Sequence, residues 1–206
     1  MSVNVSVIYY SSTGTTQSMA ERLAQAAEKA GAEVRLRHVE ELAPQEVIDS
    51  VEEWKRHREE VADEPTATPD DVVWADVVLF GSPTRFGNVA SQLKQLIDQL
   101  GPQWGQGLLA NKVYAGFTSS QTEHGGQEST LLALYNTIHH FGGLIVSPGY
   151  TDPVKFEEGN PYGVGHVTGA NNDEPLGNPQ LNALDHLAER AVEVATKLKA
   201  GEKATS

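Results

Sequence analysis

Short β-branched or apolar runs alternate with amphipathic stretches of helical period along most of this chain. Parallel strands need long crossovers, and a helix is the usual one, so the alternation predicts a parallel sheet with helices packed on it. The first strand spans Val3 to Tyr10. Met19, Leu23, Ala26, Ala27 and Ala30 then recur at three- and four-residue steps, predicting a helix with Gly31 at its C-terminal cap. Residues 33–39 alternate polar and apolar, as an edge strand does, whereas Val77-Val78-Leu79-Phe80-Gly81 is apolar enough for a central strand buried on both faces. Leu93, Leu96, Ile97 and Leu100 mark a helix stopping at Gly101-Pro102. Lys112 to Phe117 is a fourth strand, Leu131, Leu134, Tyr135 and Ile138 are the core face of another helix, and Leu144-Ile145-Val146 is a fifth strand.

Between these elements lie two segments of different character. Residues 44–64 are acidic, with one amphipathic stretch (Val47, Ile48, Val51, Trp54) that reads as a surface helix ended by Pro65 and Pro69. From Tyr150 to Gly177 the chain turns to Gly, Pro, Asn and Asp without helical or strand period, and so long a loop is usually functional or mobile. Asn178-Pro179 then supplies an N-cap and first-turn pair for a last helix, whose stripe includes Leu181, Leu184, Leu187, Ala188 and Ala191. The reading is one α/β domain over residues 1–199, with 200–206 as a frayed tail; 206 residues with 39% hydrophobic content suffice for one sizeable core.

Composition removes several functions. The formal net charge is −13, and the few basic runs, Arg35-Leu36-Arg37 and Lys55-Arg56-His57-Arg58, are flanked by Glu, which speaks against nucleic acid and anionic membranes as partners. The absence of Cys excludes disulfides, thiolate metal sites and cysteine nucleophiles, so redox chemistry would need a bound cofactor. Met1-Ser2-Val3-Asn4-Val5 has no signal-peptide character and no stretch is apolar enough to span a bilayer, which makes the cytoplasm the expected compartment.

Ligands of open parallel sheets bind beyond the carboxyl ends of the strands, and three loops there are unusual. Ser11, Ser12, Thr13, Gly14, Thr15 and Thr16 join the first strand to the first helix and offer hydroxyls and N–H groups at a helix N-terminus, where an anion is favoured. This turn has no Lys for a nucleoside triphosphate and no G-x-G-x-x-G for a pyrophosphate. A single phosphate monoester held by neutral donors, as FMN carries, remains; so does an ordinary turn. The second loop, Ser82 then Pro83, Thr84, Arg85, Phe86, Gly87 and Asn88, either forms a platform for a planar ring or is an ordinary βα loop. Phe86 would stack on the ring or pack beneath it, and Arg85 would cover the phosphate side or form a surface ion pair. The third loop runs from Thr118, Ser119, Ser120 and Gln121 through His124 to Gly125 and Gly126, with glycines where backbone must approach a ligand. Gln127 and Glu128 can simply begin the next helix, and His124 either meets a ligand or lies in solvent. His139 and His140 are adjacent on a helix and do not share a face, so they do not read as a metal pair. Either is a packed residue or a donor near a flavin's pyrimidine edge. Trp104, after a Gly-Pro turn, is an interface anchor or a pocket wall.

Taken in order, Tyr9-Tyr10-Ser11, Pro83-Thr84-Arg85-Phe86-Gly87-Asn88, Gly125-Gly126-Gln127-Glu128, His139-His140 and Pro161-Tyr162-Gly163 resemble the WrbA-type family of flavodoxin-like NAD(P)H:quinone oxidoreductases over nearly all of residues 3–198. The resemblance implies a flavodoxin-like fold: a five-stranded parallel sheet of order 2-1-3-4-5, helices on both faces, three layers. It also implies a homotetramer with one FMN per subunit, NAD(P)H as co-substrate and a quinone as acceptor. It puts the FMN phosphate at Ser11 to Thr16 and the ring at Thr84, Arg85 and Phe86. Further contacts fall at Ser119, Ser120 and the following loop, with His139 close by and Trp104 on the quinone side. Thr13 stands where the family carries a Tyr that can contact nicotinamide. The implied mechanism is a ping-pong hydride relay in which the cofactor carries the chemistry and no general acid or base is named. The alternatives are a single-electron flavodoxin-type carrier and a regulatory FMN-binding protein without activity.

Overall fold

The structure, a computed structural model, describes residues 2–205. Its centre is a parallel sheet of β1 (Asn4–Tyr9), β2 (Glu33–His38), β3 (Val77–Pro83), β4 (Val113–Ser120) and β5 (Leu144–Ile145) in the order β2-β1-β3-β4-β5. Alternate residues of each strand face opposite layers. Val5, Val7, Tyr9, Leu79, Ala115 and Phe117 pack against α1 (Thr15–Lys29) and the long α9 (Asn178–Thr205). Ile8, Tyr10, Val78, Phe80 and Tyr114 pack against α5 (Ser91–Gln99) and α7 (Gln127–Phe141). Burial on both faces is the reason Val77 to Phe80 is apolar without interruption. Gly31, at φ 88°, ends α1 as expected of a left-handed C-terminal glycine.

Several expectations are corrected at the connections. The acidic segment 44–64 holds two short helices, α2 (Gln45–Asp49) and α3 (Glu52–Glu60), because Val51 is extended (φ −127°, ψ 106°) between them. Pro69 ends nothing. It opens α4 (Pro69–Trp74), where the Thr68 N–H and hydroxyl both lie 3.0 Å from Asp71 Oδ2, while Asp71 Oδ1 pairs with Arg35 and Arg37 of β2. The preceding helix, α5, does stop before Gly101-Pro102, as expected, but that pair also starts a turn of helix, α6 (Gly101–Gly105), since Pro is tolerated where its missing N–H would have no partner. The last helix continues through residue 199 to Thr205. Among the described residues no helix is long and apolar enough to cross a membrane.

The largest correction falls on residues 150–177. They contain α8 (Val154–Glu158) and a sixth strand, β6 (Val164–Val167), both too short for periodicity to reveal. β5 pairs with Val113 and Tyr114, and β6 pairs with Phe117 to Ser120 of the same strand. The sheet edge beyond β4 is therefore one interrupted strand, with the chain leaving and returning between its halves. A fully buried ion pair organises that excursion: the Lys155 ammonium donates to Glu158 and, at 2.8 Å, to the Gly163 carbonyl. Glu158 in turn accepts from the N–H groups of Asn160 and Gly165. Substituting Lys155→Met leaves that carboxylate buried without its cation, and urea unfolding is expected to show a loss of about 3–5 kcal/mol.

Candidate functional site

Parallel pairing delivers the carboxyl ends of β1, β3 and β4 to one edge of the sheet, and a cavity of about 400 Å³ opens there. Its walls are Ser11, Ser12, Thr13, Thr15 and Thr16 after β1, Pro83, Thr84 and Arg85 at the end of β3, and Ser119, Ser120 and Gln121 at the end of β4. Ser119 and Ser120, expected in a loop, are the last residues of a longer β4, and Pro83 is the last of β3, so strand pairing fixes their positions.

The first wall is a helix N-terminus. Gly14 adopts φ 99° at the N-cap of α1, its carbonyl accepts from Ser18 N–H at 2.9 Å, and its own N–H donates to Ser11 Oγ at 3.0 Å. The N–H groups of the first turn have no acceptor within the helix and add their dipoles at this end. Ser11 and Thr16 are buried, and Thr16 Oγ1 lies 3.3 Å from Ser119 Oγ, joining the first wall to the third. The basic residue lining the cavity is Arg85, which donates to Ser12 Oγ at 3.5 Å across the mouth. His57 of α3 lies behind the turn, where a Cβ on Gly14 would be 3.7 Å from its Nδ1. Burial lowers the pKa of His57, which disfavours a charged ring behind the turn.

The second wall ends in a tight hairpin turn. Arg85 and Asn88 exchange backbone hydrogen bonds of 2.8 and 3.1 Å around Phe86 (φ 54°) and Gly87 (φ 77°), the paired left-handed geometry of a type I′ turn. For a residue with a Cβ this backbone costs about 1–2 kcal/mol, yet the Phe86 ring is fully exposed among the described residues. The turn is held from the third loop. Gly126, at φ 93° on the N-cap of α7, sits so close that an added Cβ would meet Gly87 Cα at 3.1 Å. Thr130 Oγ1 lies 2.8 Å from both Thr84 Oγ1 and the Gly126 carbonyl. At Gly125 a Cβ would stand 2.7 Å from Ser120 Cβ, so this position also accepts no side chain without rearrangement. Thr118 is a fully buried strut, donating to the Ser82 carbonyl at 2.7 Å.

Sequence-predicted residues thus divide. Ser11 to Thr16, Pro83 to Arg85 and Ser119 to Gln121 meet around one cavity, with Gly87, Asn88, Gly125 and Gly126 bracing it. Gln127 and Glu128 begin α7, and His124 is exposed. His139 is not brought to the cavity: it lies exposed on α7, in a separate hollow with Tyr135, Ile145 and Tyr162. Trp104, in α6, is half exposed and donates through Nε1 to the His140 carbonyl at 2.8 Å, again outside the cavity. Two contributors had no legible signal. Thr168 and Asn172, beyond β6, complete the cavity wall, and only the turn-forming Gly169 hints at them.

A carboxylate braces the site from behind. Glu41 accepts from the Tyr10 hydroxyl (2.9 Å), Trp54 Nε1 (3.0 Å), Gln92 Nε2 (2.6 Å) and the N–H groups of Leu42 and Ala43. It thereby ties the exit of β1 to α3 and α5. Burial alone would raise its pKa, but the bonds from Ala43, Gln92, Tyr10 and Leu42 outweigh it and hold the carboxyl below its usual range. A carboxylate whose folded pKa is depressed stabilises the fold above its unfolded pKa, and that stability is lost as pH falls through the folded value. Glu41→Gln is expected to lower stability by about 1–2 kcal/mol at pH 7, allowing for partial exposure. Thermal melts should show the gap to wild type closing below about pH 4.

The sheet order, the crossovers and the edge cavity define a flavodoxin-like fold. The structure resembles that of a WrbA-like flavodoxin from Agrobacterium tumefaciens, with a TM-score of 0.65, 24% identity and coverage of 95% of this chain and 99% of that one. It also resembles an archaeal flavodoxin, with a TM-score of 0.58, 15% identity and 95% and 99% coverage. Sequence comparison is more specific. Residues 3–151 match the family model described as NADPH-dependent FMN reductase, and the chain belongs to that family. Among its relatives, an NAD(P)H dehydrogenase (quinone) of Deinococcus radiodurans is 47% identical over 197 residues, covering 95% of this chain and 97% of the relative. One of the same name from Sinorhizobium fredii is 38% identical, with coverage of 94% and 98%.

Proposed function

We propose that this chain is an FMN-dependent NAD(P)H:quinone oxidoreductase, with the flavin's phosphate seated in the turn Ser11 to Thr16. The observation that carries the reading is the cavity itself, where free first-turn N–H groups of α1 and the hydroxyls of Ser11, Ser12, Thr13, Thr15 and Thr16 converge without a lysine. That donor set suits one phosphate monoester at a helix N-terminus. The names of the relatives supply the substrate classes.

In this reading each wall has a task. The α1 turn binds the phosphate, Arg85 covers its outer side, and Ser119, Ser120 and Gln121 face the sugar-like chain and the ring's polar edge. Thr84 and the backbone of the 85–88 turn set the ring plane, and Phe86 is free to close over it. FMN, when bound, would supply two-electron exchange between NAD(P)H and a quinone, and a ping-pong sequence would follow if the two substrates occupy the same mouth of the cavity in turn. No side chain is needed as general acid or base; the protein binds, orients and excludes water.

His139 and Trp104 do not reach the cavity within one chain, so a role for them beside the quinone requires a second copy to bring them there. The homotetramer is the assembly proposed, and it is supported by apolar side chains left in solvent, among them Trp104 at 55% and Phe156 at 73% exposure. Thr13 offers the nicotinamide a hydroxyl in place of an aromatic ring. The compartment proposed is the cytoplasm.

Purified protein is expected to take up FMN and turn yellow, to bleach when NAD(P)H is added without oxygen, and to regain colour on addition of a quinone. Initial rates at several fixed quinone concentrations should give parallel double-reciprocal lines. Converging lines would show that both substrates must be present together, and a colourless protein that takes up no FMN would end the assignment.

A further inference from the structure

The chain beyond β6 crosses back over the phosphate turn, and nothing in the activity just proposed requires it to do so. Thr168 N–H donates to the Ser120 carbonyl at 2.8 Å, extending the β4–β6 pairing by a residue. The chain bends at Gly169 (φ 75°), and Gln121 Nε2 then donates to the Ala170 carbonyl at 2.8 Å. Asn172 Nδ2 donates to Thr13 Oγ1 at 2.8 Å, a bond between residues 159 positions apart. The return is fastened by Glu174 N–H on the Thr168 carbonyl (3.0 Å) and by His166 Nε2 against the Glu174 carbonyl (2.8 Å). Residues 168–174 are thus a strap, closed at its base, whose tip rests on the phosphate turn.

Two properties make the strap a moving part. Residues 170–175 are all exposed, so polar bonds rather than buried apolar area hold the tip, and such segments open locally at small cost. Asn172 stands at φ 60°, a left-handed backbone that Asn tolerates better than most residues, and this aims its amide at Thr13. Both residues of the Asn172–Thr13 bond and both of the Arg85–Ser12 contact line the cavity.

We propose that the 168–174 strap, latched by Asn172 on Thr13, is a clasp over the phosphate end of the cavity that slows release of a flavin monophosphate and disfavours a flavin whose phosphate carries a further nucleotide. This rests on the phosphate seat proposed above. A terminal phosphate lies beneath the latch, whereas a chain continuing past the phosphate must displace it.

The test uses the full-length protein and its variants Asn172→Gly, Thr13→Val and the double substitution, with FMN and FAD as probes. Glycine keeps the left-handed backbone while removing the amide, and valine removes the hydroxyl at nearly constant shape. Melting of the flavin-free proteins checks that each variant is folded. Release is followed by the recovery of flavin fluorescence on dilution. Losing one hydrogen bond is expected to speed FMN release about 3- to 10-fold in either single variant and to narrow the FAD-to-FMN affinity ratio by a similar factor. Asn172→Gly, which leaves every hydroxyl of the phosphate turn in place, reports the latch alone; the double variant should be no faster than Thr13→Val, because the latch bond is already lost there. If wild type binds FMN but the variants release it at the wild-type rate with unchanged FAD discrimination, the clasp is refuted and the phosphate seat stands. If wild type takes up neither flavin, the seat and the clasp fall together.

Discussion

All strands of the sheet run in one direction, and that constraint governs the rest of the molecule. It sends the carboxyl ends of β1, β3 and β4 to one edge, where each crossover must begin and where α1 and α7 present N-terminal N–H groups. A concave, donor-rich edge follows from the topology before any particular side chain is chosen. The side chains then make it specific. Small hydroxyls rather than lysines line the turn before α1, so its positive potential comes from backbone dipoles, with Arg85 alone adding a full charge at the rim.

Such an edge is useful only if its loops are held still, and polar clips behind it do that. Glu41 gathers Tyr10, Trp54 and Gln92 onto one carboxylate, fixing the exit of β1 against two helices. Lys155 and Glu158 turn the excursion between β5 and β6 into a packed unit, so that β6 can extend the sheet beside Ser119 and Ser120. Gly87 and Gly126 let the second and third loops touch backbone to backbone. At the tip of the second loop, Phe86 combines a left-handed backbone with a fully exposed ring, while the turn beneath it is held by Gly126 and Thr130.

The frame was legible where pattern lengths exceed a turn or two. Met19 to Ala30 and Leu131 to Ile138 carry enough of the helical period to define α1 and α7, and Val77 to Phe80 is a central strand by apolarity alone. Short elements escaped for a physical reason: α8 and β6 hold five and four residues, and tertiary partners rather than local pattern stabilise them. Pro69 misled, because it occupies the first turn of a helix, where the ring is welcome; at Gly101-Pro102 the preceding helix does stop, and only the short helix that starts there was hidden. In the site, Ser11 to Thr16 and Pro83 to Arg85 could be picked out because each follows a recognisable strand. Thr168 and Asn172 could not, since their contribution depends on a chain reversal that brings position 172 beside position 13. His139 and Trp104, for which residue chemistry leaves both structural and site roles open, lie away from the cavity because α7 and α6 carry them to other faces.

The turn after β1 is proposed to recognise a phosphate monoester through backbone N–H groups and hydroxyls. Fluorescence titration of the flavin-free protein with FMN and with riboflavin, which lacks only the phosphate, addresses it directly. With several hydrogen bonds to a charged group at stake, FMN should bind at least about 100-fold more tightly than riboflavin. Equal affinities for the two would mean that the turn holds no phosphate, and the account would be wrong at its foundation.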